Sequence, residues 1–229
     1  MGSAVLELAS ILESAMNQNQ PMLDLRDVKG QETAKRALEI AAAGFHSIQL
    51  LGPAGCGKTM LAERLEFLCP PSPVGLVWVD PEKPYRRALD MGQQLFAFTR
   101  ALPQRDREYI DICVTLGPLH PIDASLPPIG EPSDTVAKRV VAARAIQEAR
   151  QGCLNARLDG LALERHAAPE AAGRELLTKA AEAMRLSGRA YHRILRVART
   201  IADLDDRPMV GRIHIAEALS YRPIPATSI

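Results

Sequence analysis

The residues Gly52-Pro53-Ala54-Gly55-Cys56-Gly57-Lys58-Thr59 fit the pattern G-x-x-x-x-G-K-[ST] at every fixed position. This octet constrains the fold more than anything else in the chain. A phosphate-binding loop works only when a strand delivers it and a helix receives it, so that loop N–H groups and the helix's positive end face one anion. Both flanks are present: Ser47-Ile48-Gln49-Leu50-Leu51 reads as a buried strand, and Thr59 to Phe67 resumes helical spacing. The bland alternative is a glycine-rich turn with a chance Lys-Thr, which the agreement of strand, loop and helix disfavours. In the phosphate-loop reading, Pro53, Ala54, Gly55, Cys56 and Gly57 wrap the phosphates and Met60 opens the following helix. Lys58 reaches the β and γ phosphates and Thr59 ligates Mg²⁺. The expected ligands are ATP and Mg²⁺.

Around the loop the chain alternates. Glu32 to Ala43 is rich in good helix formers, with Gly44 as its stop. Leu76-Val77-Trp78-Val79 reads as a second strand, Arg86 to Thr99 as a helix, and Tyr109 to Val114 as a third strand. Strand, helix, strand, helix, strand is the α/β pattern with a mainly parallel sheet. The second strand ends in Asp80, the expected Mg²⁺-positioning carboxylate. Pro81 follows, and Glu82 comes one place later, either as a solvated loop acid or as a displaced catalytic carboxylate. A one-residue slip on an extended chain turns a side chain to the opposite face.

After five prolines between Gly117 and Pro132 the pattern is helical throughout. Ser133 caps a helix to about Gln151, Pro169 opens one through Met184, Ser187 caps one to about Leu204, and His214 to Tyr221 makes a fourth. Val5, Leu8, Leu12 and Met16 mark a short amphipathic helix at the start. The expected division is an N-terminal helix and linker over 1–21, a nucleotide-binding core over 22–116, a linker over 117–132, a helical lid over 133–222 and a tail over 223–229. Charge follows it: residues 1–137 hold 12 Lys and Arg against 17 Asp and Glu, and residues 138–229 hold 16 against 10. A basic second half suits a nucleic-acid backbone, or is simply a solvated surface. No apolar run approaches the roughly 18 residues of a membrane span, and no signal-peptide core is visible. Four scattered cysteines fit a reducing cytoplasm.

With these pieces in hand, the chain resembles the magnesium-chelatase-like AAA+ ATPases of the ComM/YifB branch. Three blocks carry the resemblance: Asp27 to Gly44 running into the loop, Gly75 to Asp80 with Arg86-Arg87-Ala88-Leu89-Asp90, and Val140 to Asn155 with Leu186 to Leu204. The resemblance implies that the Val28-Lys29-Gly30-Gln31 part, Val28 and Gly30 in particular, lies near the adenine. It also implies that Arg189 is a lid arginine touching the nucleotide's phosphates. Arg193, Arg196 and Arg199 follow Arg189 along the helix, as further phosphate contacts, as solvated residues or as partners of acids. Asp106-Arg107 resembles the stretch supplying an arginine finger to a neighbouring subunit, although aligning the strand places Tyr109 at the arginine's position.

The departures are large. Such proteins carry an N-terminal Lon-protease-like domain with no counterpart here, and only 20 residues separate Thr59 from Asp80. Only nine residues lie between Thr99 and Tyr109, with no candidate for the sensor-1 residue among them, so a three-stranded sheet is expected. Two functions follow: a minimal ATPase whose cycle moves the lid and remodels a partner such as DNA, or a module that binds nucleotide without hydrolysing it or a decayed remnant of a longer ATPase. Partners implied are the nucleotide, further copies of the chain in a ring or a longer family member, and DNA, with no membrane. A small-molecule kinase shares the loop, but the arginine-bearing helical tail speaks against it.

Overall fold

The structure, a computed structural model, describes residues 23–69, 76–79, 95–98, 110–118, 125, 127 and 130–222. Among these, four strands form one parallel sheet: β1 (Ile48–Leu51), β2 (Leu76–Val79), β3 (Leu95–Phe98) and β4 (Ile112–Thr115), in the order β2-β3-β1-β4. The helices are α1 (Glu32–Gly44), α2 (Lys58–Leu68), α3 (Ser133–Gln151), α4 (Gly160–His166), α5 (Ala171–Ala183), α6 (Gly188–Leu204) and α7 (Arg212–Ser220). None of the described helices is long and apolar enough to cross a membrane.

The sheet corrects the three-stranded expectation. β3 falls inside the stretch read as a helix from Arg86 to Thr99, and it lies between the loop-bearing strand and β2. Leu95-Phe96-Ala97-Phe98 is too short an apolar run for periodicity to separate strand from helix. Pairing decides it: Ala97 lies opposite Ile48 on one side and Trp78 on the other. On its far side β1 pairs with β4 in full register, from Ile48 opposite Ile112 to Leu51 opposite Thr115.

α1 packs against β4 and β1 on the sheet and against α2, α3 and α6. Ala37, Leu38, Ile40, Ala41, Ala42 and Ala43 are fully buried. The alanines that favour helix also let neighbouring helices approach closely. Gly44 is the last helical residue of α1, and Phe45 takes the left-handed cap at φ 64°, returning its N–H to the Ala41 carbonyl. Gly44 is there for space: a Cβ would collide with the His46 ring and the Thr200 hydroxyl.

Two expected helix starts shift. Ser133 is the first residue of α3 rather than its cap, which is Pro132. Its hydroxyl instead accepts the Leu25 N–H at 2.6 Å, while its own N–H goes to Asp24 Oδ1 at 2.9 Å. The hydroxyl is drawn to a long-range donor that local sequence cannot reveal. Pro169 sits outside α5, bridged to Val210, and Glu170 is the cap. Ser187 does cap α6, accepting the Ala190 N–H at 3.3 Å. α4, held by an Asp159 cap, was not anticipated. The expected helix around Val5 to Met16 lies outside the described residues, as does most of the 117–132 linker. Buried apolar side chains from Leu25 to Leu116 and from Val136 to Tyr221 form one continuous cluster.

Candidate nucleotide-binding site

β1 ends at Leu51 and the chain enters the loop at Gly52. A Cβ on Gly52 would stand 2.7 Å from the Leu116 carbonyl oxygen and 2.8 Å from Cys56 Sγ, so only glycine fits against the exit of β4. Gly55 and Gly57 take φ 78° and 93°, the left-handed side that turns backbone N–H groups into a concavity. α2 starts at Lys58, with the Leu61 N–H bonded to the Gly57 carbonyl at 3.0 Å. Lys58 Nζ folds over the loop and donates to the carbonyls of Gly52 at 3.0 Å and Pro53 at 2.7 Å. Cys56 is buried under it, with Sγ 3.8 Å from Nζ. Pro53, Ala54 and Gly55 are exposed, as are Thr59 and Met60 on the first turn of α2. A left-handed glycine loop, a lysine poised across it and a helix N-terminus form a donor set that fits a polyphosphate.

The residues expected beside the base reach the same end of the sheet. Val28 is buried and closes a short 3-10 turn at Leu25–Asp27. Gly30 and Gln31 follow at φ 61° and 55°, and Gln31 Nε2 donates to the Gly117 carbonyl at 3.0 Å, just past β4. Gln31 completes the Val28-x-Gly30-Gln31 stretch of the resemblance, and its amide contact spans 86 positions. Asp80, Glu82 and Arg107 lie outside the described residues. β2, which Asp80 follows in sequence, runs parallel to β1, with β3 between them.

Arg189 is not brought to the loop of its own chain. Arg193, one turn further along α6, donates to the Ile110 carbonyl and lies 4.0 Å from Asp111, at the edge where β4 begins. α6 then runs beside α1: Thr200 meets His46 just past the end of α1, and Asp205 pairs with Arg36 near its start. The first turn of α6 therefore projects from the edge opposite the phosphate loop. Arg189 is exposed there. The other arginines of the stripe are used inside the fold. Arg196 donates to the Leu158 carbonyl at 2.5 Å. Arg199, 1% exposed, pairs with Asp203 at 3.0 Å and donates to the Pro208 carbonyl at 2.9 Å.

A buried polar chain ties the helices to that far edge. Arg150 holds both oxygens of Asp203, at 2.5 and 2.9 Å. Asn155 Nδ2 donates to Asp203 at 2.8 Å and to the Thr200 hydroxyl at 3.1 Å. That hydroxyl donates to the Arg196 carbonyl at 3.0 Å, so His46 Nε2, 2.7 Å away, is the donor to it. His46 Nδ1 then faces Asp111 at 3.6 Å. Among the described residues no cluster of three or more His, Cys, Asp or Glu could hold a metal ion.

Comparison with known proteins follows this division. Residues 24–74 match the family described as magnesium chelatase, subunit ChlI, and residues 130–222 match its C-terminal counterpart. The chain is 30% identical to competence protein ComM of Haemophilus influenzae, over 96% of this chain and 65% of that protein. It is 28% identical to YifB of Salmonella typhimurium, over 88% of this chain and 60% of that protein. The chain thus spans less than two thirds of the length of these relatives. The YifB alignment runs over 306 positions, more than the 229 residues here, so the relative carries internal residues without a counterpart.

Proposed function

Because the chain belongs to the magnesium-chelatase-like family, in its ComM/YifB branch, we propose that it binds ATP with Mg²⁺ at the 52–59 loop and turns it over slowly. The observation that carries this is the loop itself: left-handed Gly55 and Gly57, with Lys58 held across the cradle by two carbonyls. Lys58 exchanges these carbonyls for phosphate oxygens, a stronger charge-assisted contact. The Thr59 hydroxyl and the Asp80 carboxylate hold Mg²⁺, and Val28 and Gly30 line the base side. When bound, the nucleotide supplies a phosphoanhydride whose cleavage releases free energy. Glu82 or a nearby group orients the water.

In this reading residues 22–116 are the catalytic core and the helices over 133–222 are its lid. Arg189 projects from the edge opposite its own loop, and Arg107 precedes β4 in sequence. Both arginines therefore read phosphates presented by another copy of the chain, as a head-to-tail ring requires. DNA is the proposed substrate of remodelling, supported by the basic second half. The exposed Arg165, Arg185 and Arg212 are available for its phosphates.

The second reading, a nucleotide-binding module without hydrolysis, is favoured by Pro81 after the acidic strand end. One experiment separates the two. Nucleotide affinity and ATP turnover are measured with Mg²⁺ for the native chain and for Lys58→Ala. Slow turnover that vanishes in the variant, with affinity reduced at least about tenfold, is expected. Binding without turnover establishes the second reading, and no binding by the native chain rejects both.

A further inference from the structure

We propose that the apolar groove between α2 and α3 is the docking site of the chain's own residues 5–16, which lie in it as a short amphipathic helix and strap α3 to α2. The groove, of about 400 Å³, is lined by Leu23, Phe67, Ala137 and Val141, with Asp134 and Lys138 at its rim. Phe67 and Val141 are 40% and 49% exposed, although Leu68 and Val140 beside them are fully buried. On α3 the exposed face stays apolar past the groove, at Ala142, Ala145 and Ala149. The rim charges answer each other: Lys138 Nζ lies 3.7 Å from Asp134. A phenylalanine and a valine flanking one cavity gain hydrophobic stabilisation only when another segment covers them.

The chain itself supplies the occupant. Leu23, where the described residues begin, is a wall of the groove. Upstream, Val5, Leu8, Leu12 and Met16 recur at helical spacing, Ile11 and Ala15 widen the same face, and Glu7, Ser10, Glu13 and Ser14 take the other. Twelve helical residues span about 18 Å, the length of α3 from Asp134 to Ala145. A helix that short is marginal in water and needs a surface to hold it. The mostly polar residues 17–22 join it to Leu23 and reach about 20 Å, enough to fold it back over α3. A tether of that length holds the segment at an effective concentration in the millimolar range. A second copy of the chain matches that only at millimolar protein. The docking is independent of what the 52–59 loop binds.

The test is amide hydrogen exchange and thermal melting of the full chain without nucleotide. It compares the native chain, Val141→Asp, the pair Leu8→Asp with Leu12→Asp, and all three substitutions together. In the native chain the amides of 5–16 are expected to exchange slowly, and in Val141→Asp at least about tenfold faster. An uncovered, half-exposed valine tolerates aspartate with almost no change, whereas here Val141→Asp lowers the melting temperature by at least about 3 °C. In the Leu8→Asp, Leu12→Asp background the same substitution lowers it no further, because the contact is already gone. Ala149→Asp, exposed on α3 beyond the groove, keeps the 5–16 amides protected. Open-chain exchange of 5–16 in the native chain overturns the docking. So does native protection in Val141→Asp, an additive melting shift, or equal loss of protection in Ala149→Asp. Protection of 5–16 that climbs with protein concentration gives the groove to a second copy and overturns the assignment to the chain's own segment.

Discussion

A methyl group on Gly44 would stand inside contact distance of the His46 ring and the Thr200 hydroxyl. Both neighbours are fully buried and hydrogen-bonded to each other, so neither yields freely. Gly44→Ala therefore overpacks the junction and is expected to cost about 1–3 kcal/mol despite alanine's better helix propensity. Urea denaturation measures it, and a stabilised variant would contradict the packing argument. Local sequence presents Gly44 as an ordinary helix stop, because its neighbours lie far along the chain. The loop glycines are different. Gly55 and Gly57 are required by backbone conformation alone, which an octet of sequence can express.

At the scale of the element, α6 is held by polar contacts as much as by its apolar face. Thr200 accepts from His46 and from Asn155, so Thr200→Val strands two buried donors. The expected loss is about 1–3 kcal/mol, read from denaturation midpoints. Asp203 is the stronger case: Arg150, Arg199 and Asn155 all converge on a carboxylate that is 1% exposed. Asp203→Ala leaves buried guanidinium groups uncompensated and is expected to cost about 3–5 kcal/mol. If it costs no more than an exposed substitution, the network does not hold α6. From the sequence these arginines formed a basic stripe along one helix. Their partners come from the start of β4, the Leu158–Asp159 turn and the 207–208 loop, and only folding brings those together.

For the molecule as a whole, the steep part of the acid response belongs to carboxylates, among them Asp111 at the junction between helices and sheet. Burial alone would raise the Asp111 carboxyl, but the His46 ring, the Arg193 guanidinium and the Ser47 N–H outweigh it and hold it below the usual carboxylate range. Burial likewise opposes Asp24, where the N–H groups of Arg26 and Ser133 win and lower it. At Glu131 the Arg139 fork does the same. Groups lowered in the folded state bind fewer protons than in the unfolded state. Their stabilisation is complete above the unfolded carboxylate value of about 4 and is lost as pH falls through the lower folded values. Melting temperature should decline gently as pH falls through about 6.5, where His166 and His214, both lowered chiefly by burial, take up protons more readily in the unfolded chain, and should fall more steeply below about 4; Asp111→Asn should flatten the lower limb. An unchanged acid limb in the variant would remove Asp111 from the account.

The sequence by itself determined the glycine loop over 52–59, the strand and helix on either side of it, the parallel α/β pattern and the helical second half. Each is written in short-range chemistry: glycine at left-handed positions, periodic apolar faces, a serine before a helix. It also carried the family, because blocks at both ends of the described chain match it. Only the tertiary structure decided that Leu95–Phe98 is a strand, since four apolar residues take their conformation from the neighbours that pair with them. It alone placed Arg189 at the edge opposite its own loop and turned the other stripe arginines inward, because ion-pair partners dozens of residues away are invisible to periodicity. It alone set the Gln31 amide against Gly117, across 86 positions of chain.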